Sequence, residues 1–290
     1  MIKLSNMRQE PQLLLVSLLL AVIVMISGFS NSELQPLGMI RHDTDIQKYK
    51  DLGNLPEYNC VGRYAVSEES TDYAVGVLIA PRWVLTAAHF VEKSSVWKFG
   101  DHFYRTKQII KHPKLAPDAT EAQWDGWDMA LVELQKPVSD VKPAVRYRGN
   151  EELGKIITKI GYGYLGNGKL GLETPRLQER IGGQNVIDAT GGTFEGRQFS
   201  TNVMVCDFDS PETSDVNHFG LPTPLELEIG GSKGDSGGGV FMDDNGHKVL
   251  VGIVSGALNR HIKYGSVMAL ARVSKANDWI DSVITETDED

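Results

Sequence analysis

Residues 232–241, with the sequence SKGDSGGGVF, place four glycines around Asp235 and Ser236. Glycine suits backbone that must turn tightly or let another molecule approach closely. A serine presented on such backbone is either a turn residue or a nucleophile whose neighbouring amides are exposed. The rest of the chain decides between these two roles.

The composition limits the functions that this serine could serve. The chain of 290 residues has room for one large or two small domains, and its 41% hydrophobic and 23% charged residues are typical of a globular protein. A net charge of −9 argues against nucleic acid or an anionic membrane as a partner, because both bind basic surfaces. The sequence contains no cluster of metal-ligating residues, and it leaves the oligomeric state open, with a monomer favoured.

We also predict no cofactor, although GYGYLG at residues 161–166 matches the glycine pattern of a dinucleotide site. Such a site needs a helix that begins there and directs its N-terminus toward the pyrophosphate. The sequence that follows, NGKLGLETP, has no helical period. It predicts a glycine-rich turn after a strand.

The N-terminus has the order of a secretory signal. Lys3 and Arg8 precede an apolar run over residues 13–29, which small and polar residues follow. The run is close to the lower length limit for crossing a bilayer, so residues 1–30 are either a cleaved signal peptide or a membrane anchor. With cleavage we expect a secreted or periplasmic protein. With an uncleaved anchor we expect a membrane-bound protein whose folded part lies outside the cytoplasm and that contacts the membrane only through this segment.

Short runs rich in Val, Ile, Thr and aromatic residues fill most of the remaining chain, with turn-rich segments between them. The clearest are YAVGVLIA, RWVLTAA, MALVEL, KIITKI, RQFSTNVMV, KVLVGIVSG and YGSVMALARV. This pattern predicts an all-β sandwich or barrel. The exception is residues 274–285, where apolar residues recur at helical spacing after Ser274, a predicted N-cap. We therefore expect a C-terminal α-helix.

His89, Asp128 and Ser236 each lie at the edge of a strand-like run, where a rigid scaffold can hold a side chain. A serine needs an imidazole to accept its proton, and the imidazole needs a buried carboxylate to fix its tautomer. The three residues are therefore a candidate catalytic triad, and the amides of Gly234 and Ser236 are candidate oxyanion donors. Taken alone, His89 could be a packed core histidine and Asp128 could simply begin a strand.

Three segments give the chain a resemblance to the trypsin/chymotrypsin-like serine proteases. LTAAHF is similar to the segment with the family's catalytic histidine, DMALVEL to the strand after its aspartate, and GDSGGG to its nucleophile loop. Gly239 stands where proline is usual, whereas GIVSG and the NDWI helix also match in order. The usual disulfides of animal members are missing, which favours a bacterial or otherwise divergent member.

The resemblance implies two packed six-stranded antiparallel β-barrels and a C-terminal helix. Residues 58–150 would form the first barrel and residues 151–272 the second, within a protease domain over residues 58–285. Residues 31–57 would then be a leader or pro-segment, and residues 286–290 an acidic tail.

The resemblance also implies an endopeptidase that cleaves protein or peptide substrates through an acyl-enzyme. Ser255, Gly256 and Ala257 would line the cleft and pair with the substrate backbone. Asp125 is a rival for the acid role, but Asp128 directly enters the strand, as the family's aspartate does. The alternative is a catalytically silent relative that binds proteins through the same cleft; the complete triad favours the enzyme.

The specificity pocket departs from that of trypsin. Gly230 falls at the position of the pocket-floor residue. A lysine or arginine of a substrate needs a carboxylate there, because a buried cation without a partner is costly. We therefore expect an apolar or aromatic preference, unless Glu226 or Glu228 reaches into the pocket.

Activation stays open at the level of sequence. In the family, the aspartate before the nucleophile, here Asp235, pairs with an α-amino group that proteolysis frees. Ile40 is the candidate for that new N-terminus. Alternatively, an internal Lys, Arg or polar side chain satisfies Asp235 and no zymogen exists.

The chain has two cysteines, Cys60 and Cys206, which could form one disulfide. Cys206 resembles one half of a family disulfide whose partner is absent. The sequence does not place the two residues near each other.

Overall fold

The computed structural model describes residues 39–65, 67, 74–92, 95–173, 179–259 and 261–288. The predicted signal or anchor and residues 31–38 of the predicted leader lie outside these residues. Within them, no helix is long and apolar enough to cross a membrane.

Six antiparallel strands close a barrel in the order β1-β2-β3-β6-β5-β4. They are β1 (Val61–Ala65), β2 (Ala74–Ala80), β3 (Trp83–Thr86), β4 (Val96–Phe99), β5 (His102–Lys111) and β6 (Ala130–Leu134). The predicted strands YAVGVLIA, RWVLTAA and MALVEL correspond to β2, β3 and β6. These three are buried along nearly their whole length, because the apolar core continues from the barrel into the second sheet.

A second sheet of eight strands follows, in the order β11-β8-β14-β15-β16-β13-β12, with β7 paired in parallel to β15. A separate hairpin joins β9 and β10. The strands are β7 (Val145–Arg146), β8 (Ile156–Gly161), β9 (Leu165–Asn167), β10 (Gly171–Glu173), β11 (Ile181–Val186), β12 (Ala189–Phe194), β13 (Arg197–Asp207), β14 (Gly239–Asp244), β15 (His247–Ala257) and β16 (Val267–Arg272). The all-β prediction is confirmed, and the second half has more strands than the six implied by the resemblance.

Helices contribute little to the described fold. They are α1 (Ile46–Gly53), α2 (Ala119–Asp125) and α3 (Asn277–Asp288), with 3₁₀ turns at Pro56–Tyr58 and Val273–Lys275. The C-terminal helix is confirmed, but it begins after the 3₁₀ turn. Ser274 does not cap it; its hydroxyl instead donates to the buried carboxylate of Glu152, at 2.7 Å.

One apolar cluster joins the barrel to the second sheet. Tyr58 from the first half packs against Phe241 of β14, with ring centroids 5.2 Å apart, and both side chains are buried in the largest core cluster. Burial of this shared apolar surface holds the two halves together. Residues 160–163, at the end of β8, and residues 234–239, which lead into β14, are thereby fixed relative to the barrel.

The disulfide between Cys60 and Cys206 is not formed, since both thiols are free and buried. Cys60 lies in the cluster that joins the two halves, whereas Cys206 lies in a separate cluster inside the second sheet. Burial raises the pKa of the Cys60 thiol to about 12 and that of Cys206 above its ordinary value. Both therefore serve as apolar core residues.

Candidate active site

His89 follows β3 at the end of a fully buried segment. Ala87 and Ala88 are completely buried and leave space for the imidazole, which is 20% exposed. The Nδ1 atom lies 2.7 Å from Oδ2 of Asp128, and the His89 amide donates to Oδ1 at 3.0 Å. Two contacts to one carboxylate thus fix both the backbone and the ring.

Asp128 is fully buried directly before β6. Its Oδ2 also accepts a hydrogen bond of 2.6 Å from the hydroxyl of Ser255. A buried carboxylate needs such donors, because an unsatisfied charge away from water is costly. The rival Asp125 ends helix α2 and is exposed, so the structure brings Asp128 and not Asp125 to the imidazole.

Ser236 reaches the other nitrogen of the imidazole, with Oγ 3.0 Å from Nε2. Its carbonyl accepts a hydrogen bond from the amide of Val75 in β2, at 2.9 Å. This bond ties residues 232–239, here called the serine loop, to the barrel. Gly237 has φ +78, and a Cβ there would lie 2.0 Å from the carbonyl oxygen of Val75. Only glycine permits this close crossing of the two halves.

The backbone around Ser236 forms a tight turn. Gly234 has φ +86, the Asp235 amide donates to Ser232 O at 3.1 Å, and the Gly238 amide donates to Asp235 O at 2.8 Å. Among the described residues, neither the Gly234 amide nor the Ser236 amide donates to another protein group. These are the two amides that the sequence analysis assigned to an oxyanion.

A cavity of about 430 Å³ opens beside Ser236. It is lined by His89, Gln123, Gly231, Ser232, Lys233, Ser236, Val254, Ser255, Gly256, Ala257, Asn259, His261 and Ile262. The predicted lining residues Ser255, Gly256 and Ala257 are therefore brought together with the triad. None of the described lining residues is an aspartate or a glutamate.

Gly230, the predicted pocket-floor residue, packs against the ring of Phe208 and is not among the described residues that line this cavity, whereas its neighbour Gly231 is. A Cβ on Gly230 would be 3.0 Å from that ring and 3.2 Å from the hydroxyl of Ser266, which is buried and has no hydrogen-bond partner. Glu226 is exposed and paired with Lys48. Glu228 is buried and accepts from the Leu225 amide, so neither glutamate lines the cavity.

Gln123 is a cleft residue that sequence reasoning missed. It belongs to helix α2 and lies against Gly256. A Cβ placed on Gly256 would be about 2.4 Å from the carbon and nitrogen of the Gln123 side-chain amide. Nothing in the sequence around this glutamine indicates that its side chain lies in the cleft. The contact narrows the cleft next to the backbone predicted to pair with substrate.

The structure pairs Asp235 with Lys159 of β8 rather than with Ile40. Both members of this ion pair are 1% exposed. Ile40 remains inside the chain, and its amide donates to the carbonyl of Gly166, at 3.4 Å. The internal partner of Asp235 is thus a lysine in the uncut chain, and an Ile40–Asp235 pair, which needs a cleaved chain, stays a prediction. Lys159 was missed because a lysine within the strand-like KIITKI ordinarily faces solvent.

Comparison with known proteins places the chain among peptidases. The family described as Trypsin matches residues 56–218. Serine protease SSP1 of Scolopendra subspinipes is 28% identical over 235 residues, which cover 73% of this chain and 73% of that protein. A collagenase of Hypoderma lineatum is 24% identical over 252 residues, covering 83% of this chain and 87% of that protein. Neuropsin, from mouse brain, shares the fold with a TM-score of 0.58 at 19% identity, covering 79% of this chain and 96% of that chain.

Proposed function

Since the chain belongs to the trypsin family of serine proteases, we propose that it hydrolyses peptide bonds with Ser236 as nucleophile, His89 as general base and acid, and Asp128 as the residue that orients His89. One observation carries this proposal. A continuous hydrogen-bonded row runs from the Ser255 hydroxyl through Asp128 and the imidazole to the Ser236 hydroxyl, with steps of 2.6, 2.7 and 3.0 Å.

The row defines which nitrogen of His89 carries the proton. Asp128 accepts from Nδ1–H, so the lone pair of Nε2 faces the Ser236 hydroxyl. Nε2 takes the hydroxyl proton as Oγ bonds to the substrate carbonyl carbon, and the carbonyl electron pair moves to oxygen. The C–N bond then breaks, and His89 returns the proton to the leaving amine. Water repeats the sequence on the resulting ester, which yields the acid and frees Ser236.

The amides of Gly234 and Ser236 supply the second part of this mechanism. Both belong to a turn that is fixed by its own hydrogen bonds. Preorganised donors stabilise the oxyanion more than the neutral carbonyl, because they need not reorient as charge develops. Each such donor contributes on the order of 10²-fold to the rate.

The cavity favours an uncharged side chain on the substrate residue before the cleaved bond. Among the described residues that line the cavity, none is a carboxylate that could meet a cation. An apolar side chain loses no polar hydration there, whereas lysine or arginine would be left unpaired. Proteins or peptides with such a residue are the proposed substrates, and the order of residues 1–30 supports export of the enzyme.

Kinetics on a fluorogenic peptide series test the proposal. Ser236→Ala and His89→Ala are expected to lower kcat by several orders of magnitude, whereas Ser282→Ala, on the exposed face of α3, leaves it unchanged. Asp128→Asn is expected to lower kcat by about 10⁴-fold, and Asp125→Asn to have little effect. Near-normal turnover by Ser236→Ala would refute the assignment. A folded wild type that binds peptides without cleaving them would favour the silent relative.

A further inference from the structure

The ion pair between Lys159 and Asp235 connects the loop that contains Ser236 to a segment beside the substrate cavity. The ammonium of Lys159 contacts Oδ2 of Asp235 and also donates to the carbonyl of Gly230, at 3.0 Å. Asp235 precedes Ser236, and Gly230 precedes Gly231, which lines the substrate cavity. One buried cation therefore holds both the serine loop and the segment next to the cavity lining.

Both carboxylate oxygens of Asp235 accept further hydrogen bonds. The Gly163 amide donates to Oδ1 at 3.1 Å, and the amide and hydroxyl of Ser232 donate to Oδ2 at 2.9 and 3.0 Å. A buried ion pair is stable only when geometry is good and such additional hydrogen bonds are present. The carboxylate of Asp235 is thus fully satisfied by the uncut chain.

The glycine pattern at residues 161–166 leaves space for this pair. A Cβ on Gly161 would lie 2.4 Å from Oδ1 of Asp235, and one on Gly163 would lie 2.5 Å from the same atom. Any side chain at either position would displace the carboxylate. These glycines match the pattern of a dinucleotide site, but here they leave room for the Asp235 side chain beside the end of β8.

The Met39–Ile40 bond is built into the same region. Met39 is 1% exposed and Ile40 is fully buried. The carbonyl of Met39 accepts from the Gly230 amide at 2.8 Å, and that of Ile40 accepts from the Gly168 amide at 3.0 Å. A protease needs its target bond in an accessible, extended segment, so cleavage here would first require this segment to leave the fold.

We propose that Lys159 is a positioning residue that replaces the cleavage-generated α-amino group, so that the serine loop is assembled in the chain with the Met39–Ile40 bond intact. This inference rests on the proposed function, because it concerns the reactivity of Ser236. The positive charge comes from the interior of the second sheet rather than from a new N-terminus. The enzyme is then active without proteolytic processing at Ile40.

The first test measures the intact mass of the full chain after treatment with a fluorophosphonate. Ser236 Oγ displaces fluoride to form an O–P bond while His89 takes the proton, so each labelled molecule also reports its own N-terminus. We expect the adduct on molecules that retain the Met39–Ile40 bond. Label confined to molecules that begin at Ile40 would overturn the inference alone. A folded protein that takes no label in either form would overturn the proposed function as well.

The second test compares labelling rates of Lys159→Met and of a matched control, Lys155→Met, whose lysine is exposed just before β8. We expect the rate of Lys159→Met to fall by about 100-fold or more, because both oxyanion amides depend on the loop, and that of Lys155→Met to stay unchanged. In Lys159→Met/Asp235→Asn no charge is left buried without a partner, so labelling should recover at least about tenfold relative to the single variant. Labelling of Lys159→Met at the wild-type rate, or a folded double variant no faster than the single one, would contradict the positioning role.

Discussion

Replacing Glu228 by glutamine should stabilise the protein at pH 8 and have little effect at pH 5. Glu228 is 2% exposed, and burial raises the pKa of its carboxyl from 4.5 to about 8. The neighbouring carboxylates of Asp209 and Asp188 raise this pKa further, whereas hydrogen bonds from backbone, including one of 2.8 Å from the Leu225 amide, lower it. Burial of the charged form is the dominant cause.

The sign of the effect follows from proton binding. Between the unfolded pKa of 4.5 and the folded pKa of about 8, the folded state holds more protons at Glu228 than the unfolded state. The free energy of unfolding therefore falls as the pH rises through this interval. In the middle of the interval it falls by about 1.4 kcal/mol per pH unit. Between pH 5 and pH 8 this costs about 3 kcal/mol of stability, because the carboxyl of Glu228 ionises freely in the unfolded state but not when it is buried in the folded state.

Urea denaturation of the wild type and of Glu228→Gln at both pH values measures this cost. The variant should be about 3 kcal/mol more stable than the wild type at pH 8, since glutamine resembles the protonated carboxyl and keeps an oxygen for the Leu225 amide. Glu226→Gln is the matched control, because Glu226 is exposed and its pKa is lowered by Lys48. A Glu228→Gln effect that is equal at the two pH values would refute the reasoning.

Three further substitutions probe the cleft, the loop crossing and the second sheet. Gln123→Ala should lower KM severalfold for peptides with bulky residues opposite Gly256, with kcat unchanged, in steady-state kinetics. Gly237→Ala should cost more stability than the roughly 1–3 kcal/mol of a strained backbone, whereas Gly246→Ala, with φ +83 but open space around it, should cost no more than that strain in urea denaturation. Arg272→Met, which leaves a fully buried glutamate without its bidentate partner, should lower the free energy of unfolding by about 3–5 kcal/mol.

The triad could be predicted from sequence because each of its members sits in a short local pattern. His89 and Asp128 border apolar strands, and Ser236 lies within a run of glycines, so the strand periods and the turn residues locate all three. The same periods indicated the strands themselves. Strands β2, β3 and β6 were the easiest to predict. They are buried on both faces, and a strand of that kind is a continuous apolar run in the sequence.

The features that local patterns missed depend on contacts between distant parts of the chain. Lys159 lies 76 residues before Asp235 and is buried within β8 of the second sheet. Phe208 reaches Gly230 from the end of β13, and Gln123 reaches Gly256 from a helix of seven residues. No periodicity in the sequence encodes these three contacts. They determine the shapes of the serine loop, of the segment around Gly230 and of the cleft beside Gly256.

Peptide mapping of the fluorophosphonate-treated protein tests the central claim most directly, because it identifies the atom that acts as nucleophile. The account predicts one adduct, on Ser236, that is absent in Ser236→Ala and strongly reduced in His89→Ala. An adduct on a different residue, or an unmodified Ser236 in a preparation whose peptidase activity the probe has abolished, would contradict it.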